Sequence, residues 1–221
     1  MDLLKAMEER HSVRSYTTRP IEADKAAALR DLLSRIDRAR GLHFQLQTDE
    51  PGGFSGMMAK YGSFADVRNY VVLAGPEGMD REVGYYGEMV VLTAQALGLR
   101  TCWVALTYNK RKAVFDLLPG EKLYVVLALG YGDGDGKPHK NRPVSDVADL
   151  TDAPAWFRKG IEAVMLAPTA INQQKFRFAL DGDRVISLPG SGILTEMDMG
   201  IAQYHFDLAT DGDHFGLPRT V

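Results

Sequence analysis

The sequence predicts an α+β fold, and three observations carry that expectation. Helical and strand-like segments mix without a regular βαβ repeat, which argues against a doubly wound parallel sheet. The segments 70–74, 102–106 and 124–129 are short and apolar, as strands within a core are. The segment 86–99 reads as a helix whose only charge is Glu88, and a helix apolar nearly all round belongs in the centre of a fold.

Each element follows from local pattern. Leu3, Leu4 and Met7 fall at helical spacing within residues 1–9. Residues 10–16 alternate and read as extended chain. Leu29, Leu32, Leu33 and Ile36 restore the helical period, with Pro20 placed ahead of that helix. Residues 43–47 form a short strand, and the glycine-rich, aperiodic stretch 50–63 reads as a loop long enough to cover an active site. Gly98 suits the end of the central helix. A helix is expected over 110–118, ended by Pro119, and a turn-rich segment over 130–136. Beyond it, 155–166 reads as a helix, 176–180 as a strand and 198–208 as a second, shorter central helix. This order echoes the first half, so the chain is expected to be one compact unit of two parts, 1–150 and a worn copy, 151–221.

Composition narrows the functional classes. The 221 residues are 45% hydrophobic and 25% charged, ordinary values for a globular protein. A net charge of -3 gives no reason to expect nucleic acid or an anionic membrane as partner. A lone cysteine, Cys102, excludes an intrachain disulfide and fits a reducing compartment. No secretory signal and no membrane-spanning run are visible, so a cytoplasmic location is expected. His43, His139, His205 and His214 share no ligand spacing, so no metal site is expected.

Three clusters could carry chemistry. Arg10, His11, Ser12 and Arg14 follow a helix, and in extended chain Arg10, Ser12 and Arg14 share a face. Guanidinium forks there suit a phosphate or a developing anion, while the bland alternative is a solvated basic turn. Lys140 and Arg142 follow a glycine-rich turn that permits close approach of a ligand; a polar loop is the bland alternative. Pro168, Thr169, Ala170, Asn172 and Gln174 join a helix to a strand. The two amides offer donors and acceptors for the polar edge of a heteroaromatic ring, or simply cap a helix. Gly130-Tyr131-Gly132 fails as a dinucleotide fingerprint because no apolar helix follows, and Lys137 spoils a calcium loop.

Together these clusters resemble the nitroreductase family. Arg10-His11-Ser12 with Arg14 resembles the N-terminal arginine/serine motif with which that family holds FMN. Lys140-x-Arg142 resembles its C-terminal phosphate-binding pair, and 167–176 resembles its Ala/Ser-Pro-Ser-Ser-x-Asn-x-Gln-Pro-Trp segment. Residues 98–103 and 129–131 are similar to the end of the family's central helix and its last sheet strand. Two departures stand out. The Asn-x-Gln segment lies near the C-terminus instead of soon after the N-terminal motif, and Ala105-Leu106-Thr107 lacks the acid and glycine usual in the loop facing the flavin.

The resemblance implies a central antiparallel-rich sheet flanked by helices, here as an internal pseudo-dimer. It implies FMN as cofactor, NADH or NADPH as co-substrate, and ping-pong hydride transfer to a nitroaromatic or quinone-type acceptor. The chemistry then resides on the flavin, so no catalytic side chain is expected; Arg10, His11, Ser12, Arg14, Ala105, Leu106, Lys140, Arg142, Pro168, Thr169, Ala170, Asn172 and Gln174 would bind cofactor. Because the displaced segment sits in the same polypeptide, a monomer with one FMN is expected over a homodimer. The competing readings are a non-enzymatic flavin-binding sensor or carrier, and an interaction domain that has lost flavin.

Overall fold

The computed structural model describes residues 2–221. Met1, part of the helix expected over 1–9, lies outside them. Helix α1 (Leu3–Glu9) starts where the Asp2 side chain accepts from the Lys5 amide. Then follow α2 (Ala23–Arg40), β1 (His43–Gln47), a short 3-10 turn (Pro51–Phe54), α3 (Met57–Tyr61), β2 (Asn69–Pro76), α4 (Asp80–Ala96), β3 (Arg100–Val104) and β4 (Glu121–Gly130). The remainder comprises α5 (Val144–Val147), α6 (Ala155–Val164), β5 (Phe176–Asp181), β6 (Arg184–Pro189) and α7 (Thr195–Thr210).

The main sheet has the order β1-β2-β4-β3, antiparallel throughout. Its central strands read as continuous apolar runs because both faces are covered. Val71, Leu73, Val125 and Leu127 join the core beneath α2 and α4, while Tyr70, Val72, Val126 and Ala128 pack against Phe54, Phe64 and Val67 on the other side. A third core surrounds the β5–β6 hairpin, where Phe157, Phe178 and Phe206 pack together.

A helix, an antiparallel strand pair and a closing helix occur twice, as α2-β1-β2-α4, with the 3-10 turn and α3 inserted between its strands, and as α6-β5-β6-α7. The two closing helices pack on each other through glycines. A Cβ on Gly84 would stand 2.1 Å from the Met197 carbonyl oxygen, and one on Gly200 would stand 2.0 Å from that of Arg81. The contact is reciprocal: each glycine meets the residue three before its counterpart.

The structure departs from the sequence reading in four places. Residues 110–118 are not helical, because side chains take their backbone amides: Val114 N–H donates to the Tyr70 hydroxyl, Asp116 N–H to Gln45 Oε1 and Leu118 N–H to Glu121. The 50–63 loop contains a 3-10 turn and α3. Strand β6 went unread, since Arg184 and Leu188 face solvent and only a hairpin partner reveals it. Finally, α4 begins at Asp80, its first turn being too polar to join the apolar run.

Candidate functional site

A cleft runs between the N-terminal arm, β3 and the start of α7, in two adjoining lobes. The polar lobe, about 540 Å³, is lined by Arg10, His11, Ser12, Arg14, Lys137, His139 and Asn172, among others. The apolar lobe, about 270 Å³, is walled by residues 102–107 on one side and by Ile193, Met197 and Ile201 on the other. Ser12, Arg14, Pro168, Thr169 and Ile171 line both, so the lobes are continuous and both ends of the chain build them.

The arm is held in extended form by three neighbours. Val13 N–H donates to the Thr101 carbonyl at 3.0 Å beside β3, Tyr16 N–H to Ala65 at 3.1 Å and Thr17 N–H to Tyr131 at 2.8 Å. The face expected to carry Arg10, Ser12 and Arg14 is divided: the Arg10 side chain is 2% exposed, whereas Arg14 stays at the surface, 6.0 Å from the Phe64 ring. Arg10 lines the polar lobe, while its Nε is buried without a hydrogen-bond partner, 3.8 Å from Glu88 Oε1. His139 Nδ1 is likewise buried and unpartnered. Burial, with Arg10 as neighbour, holds the His11 imidazole below its usual range.

Opposite the arm lies a strap, residues 167–174, between α6 and β5. Pro168 helps to end the helix, and Ile171 (φ 47°), Asn172 (φ 56°) and Gln174 (φ 45°) then take left-handed conformations that non-glycine residues seldom adopt. Side chains enforce them. Asp198 of α7 accepts from Ala170 N–H at 2.9 Å and from Gln173 Nε2 at 2.7 Å. Asn172 Nδ2 and Gln174 Nε2 each donate to the Lys140 carbonyl at 2.8 Å, and Gln174 Oε1 accepts from Arg142 N–H at 3.0 Å. Burial pushes the Asp198 carboxyl up to about 6.

The sequence-predicted residues divide accordingly. Arg10, His11, Ser12, Arg14, Pro168, Thr169 and Asn172 line the polar lobe, and Ala105, Leu106 and Ala170 the apolar one. Lys140 and Arg142 do not line the cleft. Arg142 lies 3.9 Å from Asp146, and both residues offer their backbone groups to the strap, which turns their side chains to solvent. Gln174, the last residue of the strap, is buried and braces it against Lys140 and Arg142. Lys137 and His139, rather than Lys140 and Arg142, line the polar lobe. Reading the sequence alone also missed Ile193, Met197, Asp198 and Ile201; the one available signal was Asp198, a charge at the start of an apolar helical run. Cys102 is buried at the edge of the apolar lobe, and burial pushes its thiol up, as befits a core thiol. Among the described residues no helix is long and apolar enough to cross a membrane.

Comparison with known proteins supplies the family and supports the fold. A family model described as "Putative TM nitroreductase" matches residues 2–210. Among solved structures, a nitroreductase from Thermotoga maritima superposes with a TM-score of 0.71 at 23% identity, covering 95% of this chain and 83% of its own. A nitroreductase-like protein from Streptococcus mutans (TM-score 0.55, 12% identity) covers 67% of this chain and 98% of its own. An NADH dehydrogenase/NAD(P)H nitroreductase from Bacteroides thetaiotaomicron (TM-score 0.51, 19% identity) covers 66% and 95%. No curated protein matches. With the family model spanning nearly the whole chain, the protein belongs to the nitroreductase family of flavin-dependent oxidoreductases.

Proposed function

We propose that the cleft binds FMN and that the protein is an NAD(P)H oxidoreductase acting on nitroaromatic or quinone-type acceptors. The observation that carries this reading is the junction of a cationic lobe and a narrow apolar lobe across Ser12, Arg14 and Thr169. A phosphate suits the first, where Arg10, Arg14 and Lys137 outnumber the one acid, Asp133, and Ser12 supplies a hydroxyl. A flat heteroaromatic ring suits the second, between residues 102–107 and the Met197–Ile201 face of α7. No dinucleotide fingerprint is present, which favours FMN over FAD.

FMN, when bound, supplies the redox chemistry, accepting a hydride from NADH or NADPH and passing it to the acceptor in a ping-pong cycle. The chain's residues bind and orient. Arg10, Arg14 and Lys137 hold the anion, the strap closes one side, and Asp198 fixes the strap through Ala170 and Gln173. Exposed apolar side chains at the mouth, Leu106, Ile171 and Ile193, offer a surface to a planar apolar acceptor.

The site is completed within one chain, residues 1–150 giving the arm and 151–221 the strap, so the active species is a monomer with one FMN. The repeated element order and the reciprocal glycine contact support this, as do two neighbours that align almost end to end yet cover only two thirds of this chain. A covalently joined half keeps its contacts at high effective concentration. An NAD(P)H-using enzyme with one reduced thiol fits the cytoplasm.

The experiment is direct. The purified, reconstituted protein should show a flavin spectrum, release FMN on heating, oxidise NADH or NADPH with an added quinone, and scatter light as one chain with one FMN. FAD, a colourless protein after reconstitution, or absence of turnover would overturn the cofactor or activity reading, and a dimer with two sites would overturn the monomer.

A further inference from the structure

Behind the cleft, a buried group of charges obeys a proton count. Glu88 on α4 and His205 on α7 are both fully buried. His205 Nδ1 lies 3.0 Å from the Ala163 carbonyl oxygen, which only accepts, so Nδ1 carries a proton. Nε2 lies 2.9 Å from Glu88 Oε1, and a hydrogen bond there needs a second proton between the two atoms. That proton resides either on the imidazole, giving an ion pair, or on the carboxyl, giving a neutral pair. Two neighbours decide in favour of the ion pair. The Trp103 indole N–H donates to Glu88 Oε2 at 2.9 Å, and Arg10 Nε stands 3.8 Å from Oε1; both stabilise a carboxylate.

One buried carboxylate therefore faces two buried cations, and only His205 is hydrogen-bonded to it. Arg10 Nε has no hydrogen-bond partner, although Arg10 lines the polar lobe of the cleft. A buried cation left over in this way is unfavourable until an anion meets it.

We propose that His205 is a positioning residue which, by pairing with Glu88, leaves the charge of Arg10 free for the phosphate of a ligand in the cleft. The inference rests on the FMN reading above. It assigns opposite signs to two neighbouring substitutions. Removing the imidazolium turns Glu88 onto Arg10 and cancels its charge; removing the carboxylate leaves Arg10 fully cationic. A purely structural network would lose function in both cases.

Full-length His205→Gln, Glu88→Gln and the double variant, freed of flavin, are titrated with FMN and with riboflavin, which lacks the phosphate. FMN binding should weaken on the order of tenfold in His205→Gln, stay equal or tighten in Glu88→Gln, and return in the double variant. Riboflavin binding should change in none of them. Equal weakening of FMN binding in both single variants, or a loss shared by riboflavin, would overturn the proposal. A wild-type protein that binds no FMN would instead refute the cofactor reading. In that case, or if the variants do not fold, nitrogen NMR of the wild-type histidines at neutral pH decides. Two ring N–H protons on His205 support the charge count, and a single one overturns it.

Discussion

The two helix-strand-strand-helix segments bury their strands differently. In the first, β2 is covered on both faces, with Tyr70 and Val72 on one side and Val71 and Leu73 on the other. In the second, β5 alternates: Phe176 and Phe178 are buried while Arg177 and Ala179 face solvent. A two-stranded hairpin with one covered face is marginal by itself. The first unit is a scaffold, and the second depends on the α4–α7 contact to hold the strap against the arm. Stability and ligand binding should therefore fail at different places.

The join is where the largest effect is expected. Gly200→Ala places a Cβ 2.0 Å from the Arg81 carbonyl oxygen and 2.8 Å from Tyr85 N, backbone atoms that cannot swing aside. We expect a loss of at least about 3 kcal/mol, the upper range for overpacking, read by denaturant titration. A shift below about 1 kcal/mol would mean that the helices slide freely.

The cleft should respond next. Arg10→Ala should weaken FMN binding roughly 10- to 150-fold, from about 1.5–3 kcal/mol for a hydrogen bond to a charged group. Arg142→Ala should leave it nearly unchanged, because Arg142 faces Asp146 outside the cleft. Equal losses in flavin titrations would place the phosphate near Arg142 after all.

A subtler test uses Asp207, which burial pushes up to about 7 in α7, where it accepts from the Tyr85 hydroxyl at 2.8 Å. Unfolded, an aspartate titrates near 3.9. Between these values the native state holds a proton that the unfolded chain has released, so this group's contribution falls as pH rises from about 4 to about 7. The wild type should lose about 2.5 kcal/mol relative to Asp207→Asn between pH 5 and pH 8, by urea unfolding at each pH. A constant difference between the two proteins would show that Asp207 does not titrate there. The smallest effect belongs to the hairpin turn: Gly182→Ala adds a side chain into open space at φ +60°, a cost of about 1 kcal/mol in thermal melts.

Much of this was legible in the residues. Strands β2 and β4 announced themselves by apolar runs, and the arm by Arg10, Ser12 and Arg14 beside a helix end. The illegible parts share a cause, which is that distant partners decide them. Lys137, rather than Lys140, lines the cleft because Asn172 and Gln174 grip the Lys140 carbonyl from more than thirty residues away. Segment 110–118 has helical spacing but loses its amides to Tyr70, Gln45 and Glu121. Asp198 gains its place only when α7 meets the strap.

The glycine crossing also sets a clock. Gly84 emerges from the ribosome more than a hundred residues before Gly200, its counterpart. At about 5–20 residues per second, α4 waits on the order of ten seconds with its apolar seam uncovered. During that interval the nascent first half exposes the surface that α7 later covers, an apolar face open to association with other chains.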